Sequence, residues 1–334
     1  MPKFLIKLTP IGPYFFGDEN AFRFGEKIES YYIKSLPVPP MTSVIGMLRY
    51  VLLEESGVIK VDGNYDKSSR EKMNELIGEN GYSVELENSM GKIADLSPLF
   101  IVDENGGKYI QTPLNHKTSE NIYTPLAMRA ETIKTSHGDI KLPIMEEFNA
   151  KDTVGISYMN IRTKKIEKEL FLEEERVGIN KKKTDEAFFK KMYYNLKSGY
   201  SFAFVADIDF ALKDTICYMG REKSAFKLTA LPVEEKYDVI NEIQNNFDYS
   251  FSYAMSDLIL KEKIKYSDYA MVQTGSVRML KTEYDAGKLK IRRHETRYNV
   301  IKAGSVFMKC PDKDNFYKDA FGLNKIIELG GSKE

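Results

Sequence analysis

The chain has 334 residues, 42% of them apolar and 12% aromatic, enough for one large domain or two ordinary ones. Lys and Arg total 49 against 49 Asp and Glu, which excludes polyanion binding by bulk charge and leaves local basic patches. Two cysteines, Cys217 and Cys310, are too few for a disulfide framework and suit a reducing cytosol, and with three scattered histidines they give no metal-ligand spacing.

The opening MPKFLIKLTP lacks a signal architecture. The most apolar window, residues 42–53, is interrupted by Arg49 and is too short to span a bilayer. A cytoplasmic protein with no membrane contact, no metal and no cofactor is expected. Residues 3–8 alternate around Phe4, Ile6 and Leu8 and predict a strand. Residues 9–40 form a long connection that holds Tyr14, Phe15, Phe16, Phe22, Phe24, Tyr31 and Tyr32. Loops of this length are functional or disordered, and disordered segments are poor in aromatics, so a functional loop is expected.

Residues 42–55 predict the best helix. Val44, Met47, Leu48, Val51 and Leu52 form one buried stripe, Pro39 and Pro40 precede it, Thr42 is placed to cap it and Gly57 to end it. Gly46 breaks the local rule inside this helix, at a cost of roughly 1 kcal/mol relative to Ala. Residues 60–88 read as a polar excursion with a short helix at 70–77. Residues 99–102 and 108–111 predict a hairpin around Asp103-Glu-Asn-Gly-Gly107, and 127–160 another with its tip at 135–139. Strands are expected at 176–180, 200–208 and 225–231, with a polar stretch at 181–186 between the first two.

The acidic run Glu234, Glu235, Asp238, Glu242 and Asp248 against Lys236 marks a composition shift, and a domain boundary is placed near 233. Beyond it, strands are expected at 255–260, 277–281, 296–301 and 305–309. Many strands, few helices and no doubly wound alternation give an α+β class.

Four places carry candidate chemistry. Residues 276–309 hold nine basic residues, among them Arg278, Arg292, Arg293 and Arg297, against Glu283, Asp285 and Glu295, with Tyr284, Tyr298 and Phe307 interleaved. That is the composition of a phosphate-tracking, base-stacking surface, or of a solvated strand pair. At the start of the first helix the free amides make an anion site. Gly46 and Arg49, off the apolar stripe, leave room for a bulky partner and a cation for its phosphate. Gly46 equally suits close packing of helix on strand. Met219-Gly220-Arg221-Glu222-Lys223-Ser224 is a glycine turn with two cations, a phosphate clamp or a plain surface turn. Arg176-Val-Gly-Ile-Asn180 followed by Lys181-Lys182-Lys183 is a strand running into a basic turn. Catalytic sets are poor. His294, inside the basic segment, is the best placed to act with a Lys or Tyr in metal-independent RNA cleavage.

Taken in order, these segments resemble the RAMP superfamily. The start resembles it in Leu8-Thr-Pro-Ile-Gly-Pro-Tyr-Phe-Phe16 and Leu36-Pro-Val-Pro-Pro-Met-Thr-Ser-Val-Ile-Gly-Met-Leu-Arg49. Arg176 to Asn180, Met219 to Ser224 and Ala303-Gly-Ser-Val-Phe307 extend the likeness. It is greatest to the Cas-five-like group, in the third-subunit family of the type III-B CRISPR effector, the Cmr complex. The resemblance implies two ferredoxin-like (RRM-like) domains with β-hairpin insertions, residues 1–233 and a smaller 234–334. It implies a non-catalytic subunit holding the repeat-derived 5′ handle of the guide RNA at the foot of the complex. The expected neighbours are the large cyclase-bearing subunit and the backbone RAMP subunit.

The RNA contact is accordingly expected at Pro40, Thr42, Ser43, Gly46 and Arg49, then at Arg176, Asn180, Lys181 and Lys182. Gly220, Arg221, Lys223, Arg278, Arg292, Arg293 and Gly304 complete the set. The competing readings are a metal-independent endoribonuclease that processes precursor RNA, and a purely structural subunit whose basic segment meets acidic protein neighbours.

Overall fold

The computed structural model describes residues 1–17, 31–60, 65–85, 89–117, 120–126, 128–146, 156–179, 188–220, 222–247, 251–261, 270–285, 288–293 and 295–329. It is mostly antiparallel sheet with few helices, so the α+β class holds.

The strand predicted at 3–8 is Lys3–Pro10, with Phe4, Ile6 and Leu8 buried on one face by the period-2 alternation of a strand. It lies inside the largest sheet among the described residues. From one edge the order is Thr215–Met219, Ser224–Val233, Lys3–Pro10, Tyr200–Ile208, Phe100–Asp103, Lys108–Gln111, Tyr158–Asn160 and Ile166–Glu167, and Ile93–Leu96 also pairs with Tyr200–Ile208. The 100–103 and 108–111 strands are the expected hairpin.

The helix Met41–Glu55 packs its apolar stripe on the Phe4, Ile6 and Leu8 face, with Val44, Met47, Leu48, Val51 and Leu52 all buried. Its cap differs from the expectation. The helix starts one residue earlier, Pro40 is the N-cap, and among the described residues no side chain caps the first turn. Thr42 is therefore inside the helix, where its hydroxyl is past the capping position. Gly57 follows the last turn with φ +68, the left-handed conformation that favours glycine. The short helix runs Lys67–Ile77, capped by Asp66, which accepts a hydrogen bond from Ser69 N at 2.7 Å.

The long connection 9–40 is not only loop. Tyr14, Phe15 and Phe16 are buried, and Tyr31–Lys34 forms a parallel strand beside Phe188–Leu196, which pairs antiparallel with Phe171–Ile179. Phe22 and Phe24 lie outside the described residues. The expected hairpin after residue 127 is a two-stranded ribbon, Met128–Thr135 with Gly138–Met145, which among the described residues pairs with no other strand.

The acidic run after 233 opens a short helix. Asp238 caps the helix Val239–Gln244 by accepting from Ile240 N and Asn241 N, and Val239 and Ile243 enter a second core cluster under the main sheet. Two further sheets follow, one of Ala270–Met271, Val306–Phe307, Phe251–Ala254 and Ile326–Leu329, the other of Leu258–Ile259, Tyr298–Ile301 and Thr274–Val277. The strand expected at 277–281 is broken at buried Met279, beyond which Leu280–Asp285 and Lys288–Arg293 form a second ribbon. The portions before and after 233 share one core. Ile259, Met279, Tyr298, Val300, Phe321 and Leu323 join the cluster that holds the first helix.

Candidate nucleic-acid interface

The approach to the first helix is stiffened by Pro37, Pro39 and Pro40 and fixed by Tyr14, whose hydroxyl donates to Pro37 O at 2.6 Å. Tyr14 is fully buried, and burial raises its pKa far above the ordinary phenol value. Thr42 and Ser43 are half-buried in the first turn, where Ser43 N and Val44 N donate to Pro40 O. Among the described residues no side chain caps the turn, which leaves Met41 N and Thr42 N to receive an anion. Gly46 is exposed, and a Cβ there would meet nothing within 4 Å. Close packing of helix on strand therefore does not explain this glycine. Arg49, one turn on, is half-buried and donates from Nη2 to Asn80 O at 2.9 Å.

A second group assembles around Phe15. Arg176 pairs in register with Lys191, donates to Glu174 at 2.8 Å and lies 4.7 Å from the Tyr193 ring centroid. Hydrogen bonds from Arg176 and from Asn195 Nδ2 hold the Glu174 carboxyl below the usual range. Tyr193 and Phe15 are 5.3 Å apart, and Lys191 Nζ lies 5.5 Å from the Phe15 ring and pairs with Glu222. The glycine turn closes on the same aromatic. Gly220 has φ +72, and a Cβ there would come 2.8 Å from Phe15 O. Lys223 has φ +52, and Ser224 Oγ accepts from Phe15 N at 3.0 Å. One residue along, Phe16 N donates to Ser35 Oγ and Leu36 N to Phe16 O, which ties the group to the proline-rich approach of the helix.

The structure thus joins the helix start, the Arg176 strand and the Gly220 turn through Tyr14–Phe16. Asn180, Lys181, Lys182 and Arg221 lie outside the described residues. Phe15 belongs to the aromatic loop expected to be functional, whereas Tyr193 and Lys191 are not read from the sequence. The doublets Phe188-Phe189, Lys190-Lys191 and Tyr193-Tyr194 hide the alternation of their strand.

The basic segment is a separate feature. Arg278 is exposed just before buried Met279, and the ribbon beyond sets Arg292 opposite Lys281 and Arg293 opposite Leu280. Gly304 departs from the expectation of an RNA contact. It is buried with φ +88, a Cβ there would come 2.8 Å from Gln111 Nε2, and its backbone bonds to Leu114 N and Ala254 O. It packs the C-terminal sheets against the 108–111 strand.

A cavity of about 390 Å³ lies between the main sheet and the Val239–Gln244 helix, lined by Asp95, Asp207, Asp238 and Asp319 with Lys3 and Lys325. Burial raises the Asp207 and Asp319 carboxyls. A phosphate has no place among four acids and two lysines. Among the described residues no group of three His, Cys, Asp or Glu is placed to hold a metal ion. His116 is buried with its Nδ1–H donating to Pro113 O at 2.8 Å, His137 sits exposed at the ribbon tip, and His294 lies outside the described residues.

Among solved structures, the chain is similar to a chain of the type III-B Cmr-beta complex bound to cognate target RNA. The two are 15% identical over 91% of this chain and 86% of that one, at a TM-score of 0.49. A chain of the same complex with cognate target RNA and AMPPnP, state 1, is 15% identical over 91% and 85%, at 0.46. A chain of the apo Cmr-beta state is 11% identical over 70% and 97%, at 0.28. No curated protein matches. The family model of the CRISPR-associated protein Cas_Cmr3 matches residues 6–255, which takes in the proline-rich helix start, the Arg176 strand and the Gly220 turn. With most of its length matched, the chain belongs to the Cas_Cmr3 family of CRISPR-associated proteins.

Proposed function

We propose that this chain is a non-catalytic RNA-binding subunit of a type III-B CRISPR effector complex, and that it holds the repeat-derived 5′ handle of the guide RNA. The observation that carries the reading is the convergence of the helix start, the Arg176 strand and the Gly220 turn on Tyr14–Phe16. Uncapped amides, an open glycine and a guanidinium stacked on a tyrosine supply the donors and the flat surface that a single strand uses. The basic ribbon adds a second, less specific contact to the backbone. The large cyclase-bearing subunit and the backbone RAMP subunit are the proposed neighbours. The proposed units, 1–233 and 234–334, are ferredoxin-like and joined by a common core.

Photocrosslinking of guide RNA within the purified complex tests this. The 5′ handle should crosslink to the chain near Phe15, Tyr193 or the first helix, and Gly46→Leu should reduce the yield while the isolated chain stays folded. Crosslinks confined to the guide's 3′ end would overturn the handle assignment. Metal-independent cleavage of repeat RNA by the isolated chain, lost in His294→Ala, would replace it with a processing nuclease.

A further inference from the structure

The Thr215–Met219 strand is an edge of the main sheet, paired on one side with Ser224–Val233 in unbroken register. Among the described residues no backbone hydrogen bond runs from its other side. Natural sheets blunt such an edge with charge, proline or a bulge. This one has none of these: its outward positions are Ile216 and Tyr218, 53% and 56% exposed. The same face continues through Ala225, Lys227, Thr229 and Leu231, then Lys7 and Thr9, with exposed Ile11 beyond. None of these positions carries a carboxylate, and neither Lys7 nor Lys227 is ion-paired among the described residues. At the strand's two ends the charges are mixed, exposed Lys213 beside Asp214 and exposed Lys223 beside Glu222, so the basic character of this face rests on Lys7 and Lys227.

We propose that this edge docks an extended, acidic segment of a partner protein, which adds a strand to the main sheet beside Ile216 and Tyr218. Main-chain hydrogen bonds would give affinity, and the aliphatic residues with Lys7 and Lys227 would select apolar and acidic side chains. The aliphatic content favours protein over nucleic acid, since a single-strand RNA platform stacks bases on several aromatics and Tyr218 is the lone ring here. The proposal rests on the reading of the chain as an assembly subunit.

Amide hydrogen exchange on the isolated chain and on the effector complex purified through it tests the edge. Amides of Thr215–Met219 should slow by an order of magnitude or more in the complex. Ile216→Glu with Tyr218→Glu should restore fast exchange and release one protein partner, with the isolated variant melting normally. Lys227→Glu, at an exposed site, should weaken the same partner even if the double variant folds poorly. A chain that co-purifies with partners yet exchanges at its free rate over 215–219 overturns the edge proposal alone. A chain that elutes without any partner overturns the assembly reading first. Crosslinking of octauridine to Tyr218 would assign the face to RNA and overturn the protein occupant.

Discussion

At Gly46 the missing side chain opens onto solvent, while at Gly220 it lets the turn close on Phe15. The two sites should answer the same substitution with opposite signs. Gly46→Ala should stabilise the isolated chain by about 1 kcal/mol, the difference in helix propensity, because no atom stands within 4 Å of the new Cβ. Gly220→Ala must adopt a left-handed φ and push against Phe15 O, which costs about 1 kcal/mol or more. Denaturant unfolding of both variants checks the contrast. His116 gives a prediction in pH. Burial lowers its pKa from 6.5, so the folded chain binds fewer protons than the unfolded one just below that value. Stability is then fully present above about pH 6.5 and falls as the pH drops through the window to the folded pKa. His116→Gln should flatten the melting profile across that window, measured by thermal unfolding from pH 7.5 to pH 5.

Among the elements, the Leu280–Asp285 and Lys288–Arg293 ribbon offers the clearest test of charge. Each phosphate neutralised on a single strand contributes about −0.7 to the slope of log affinity against log salt. Consecutive strand positions belong to opposite faces, so Arg292→Ala with Arg293→Ala should flatten the slope by about 0.7, and weaken different RNA sequences alike. An unchanged slope with loss of a protein neighbour would reassign the ribbon to protein docking. The elements that sequence reasoning found are those with a clean period. Phe4, Ile6 and Leu8 announce a strand, and Val44 to Leu52 announce a helix. Phe188–Leu196 escaped because paired aromatics and paired lysines mask its alternation, and with it escaped Tyr193 and Lys191. Thr42 was misplaced as a cap because Pro40 can hold the N-cap backbone conformation without offering a side chain.

For the whole molecule, the composition shift near 233 reads as a boundary, yet the core crosses it. Local composition cannot show that Tyr298, Val300, Phe321 and Leu323 join the core cluster that holds the first helix, because that cluster gathers residues from most of the chain's length. The full chain should unfold in one cooperative transition by calorimetry, and a fragment ending at 233 should show none. Each of those lost side chains is worth roughly 1.5–3 kcal/mol, so together they approach a typical total stability of about 5–15 kcal/mol.

The turn at Phe321-Gly322 carries this furthest. Gly322 leaves no room for a Cβ against Met41 Cε and Ser97 O, and Phe321 N donates to Asp95. During translation the first helix therefore emerges long before the turn that seats against Met41. Until residue 323 has left the ribosome, that helix end waits as an open apolar surface, exposed to chaperones and proteases. Chains still bound to the ribosome with residue 323 inside it and chains released from it should differ sharply in protease resistance around Met41.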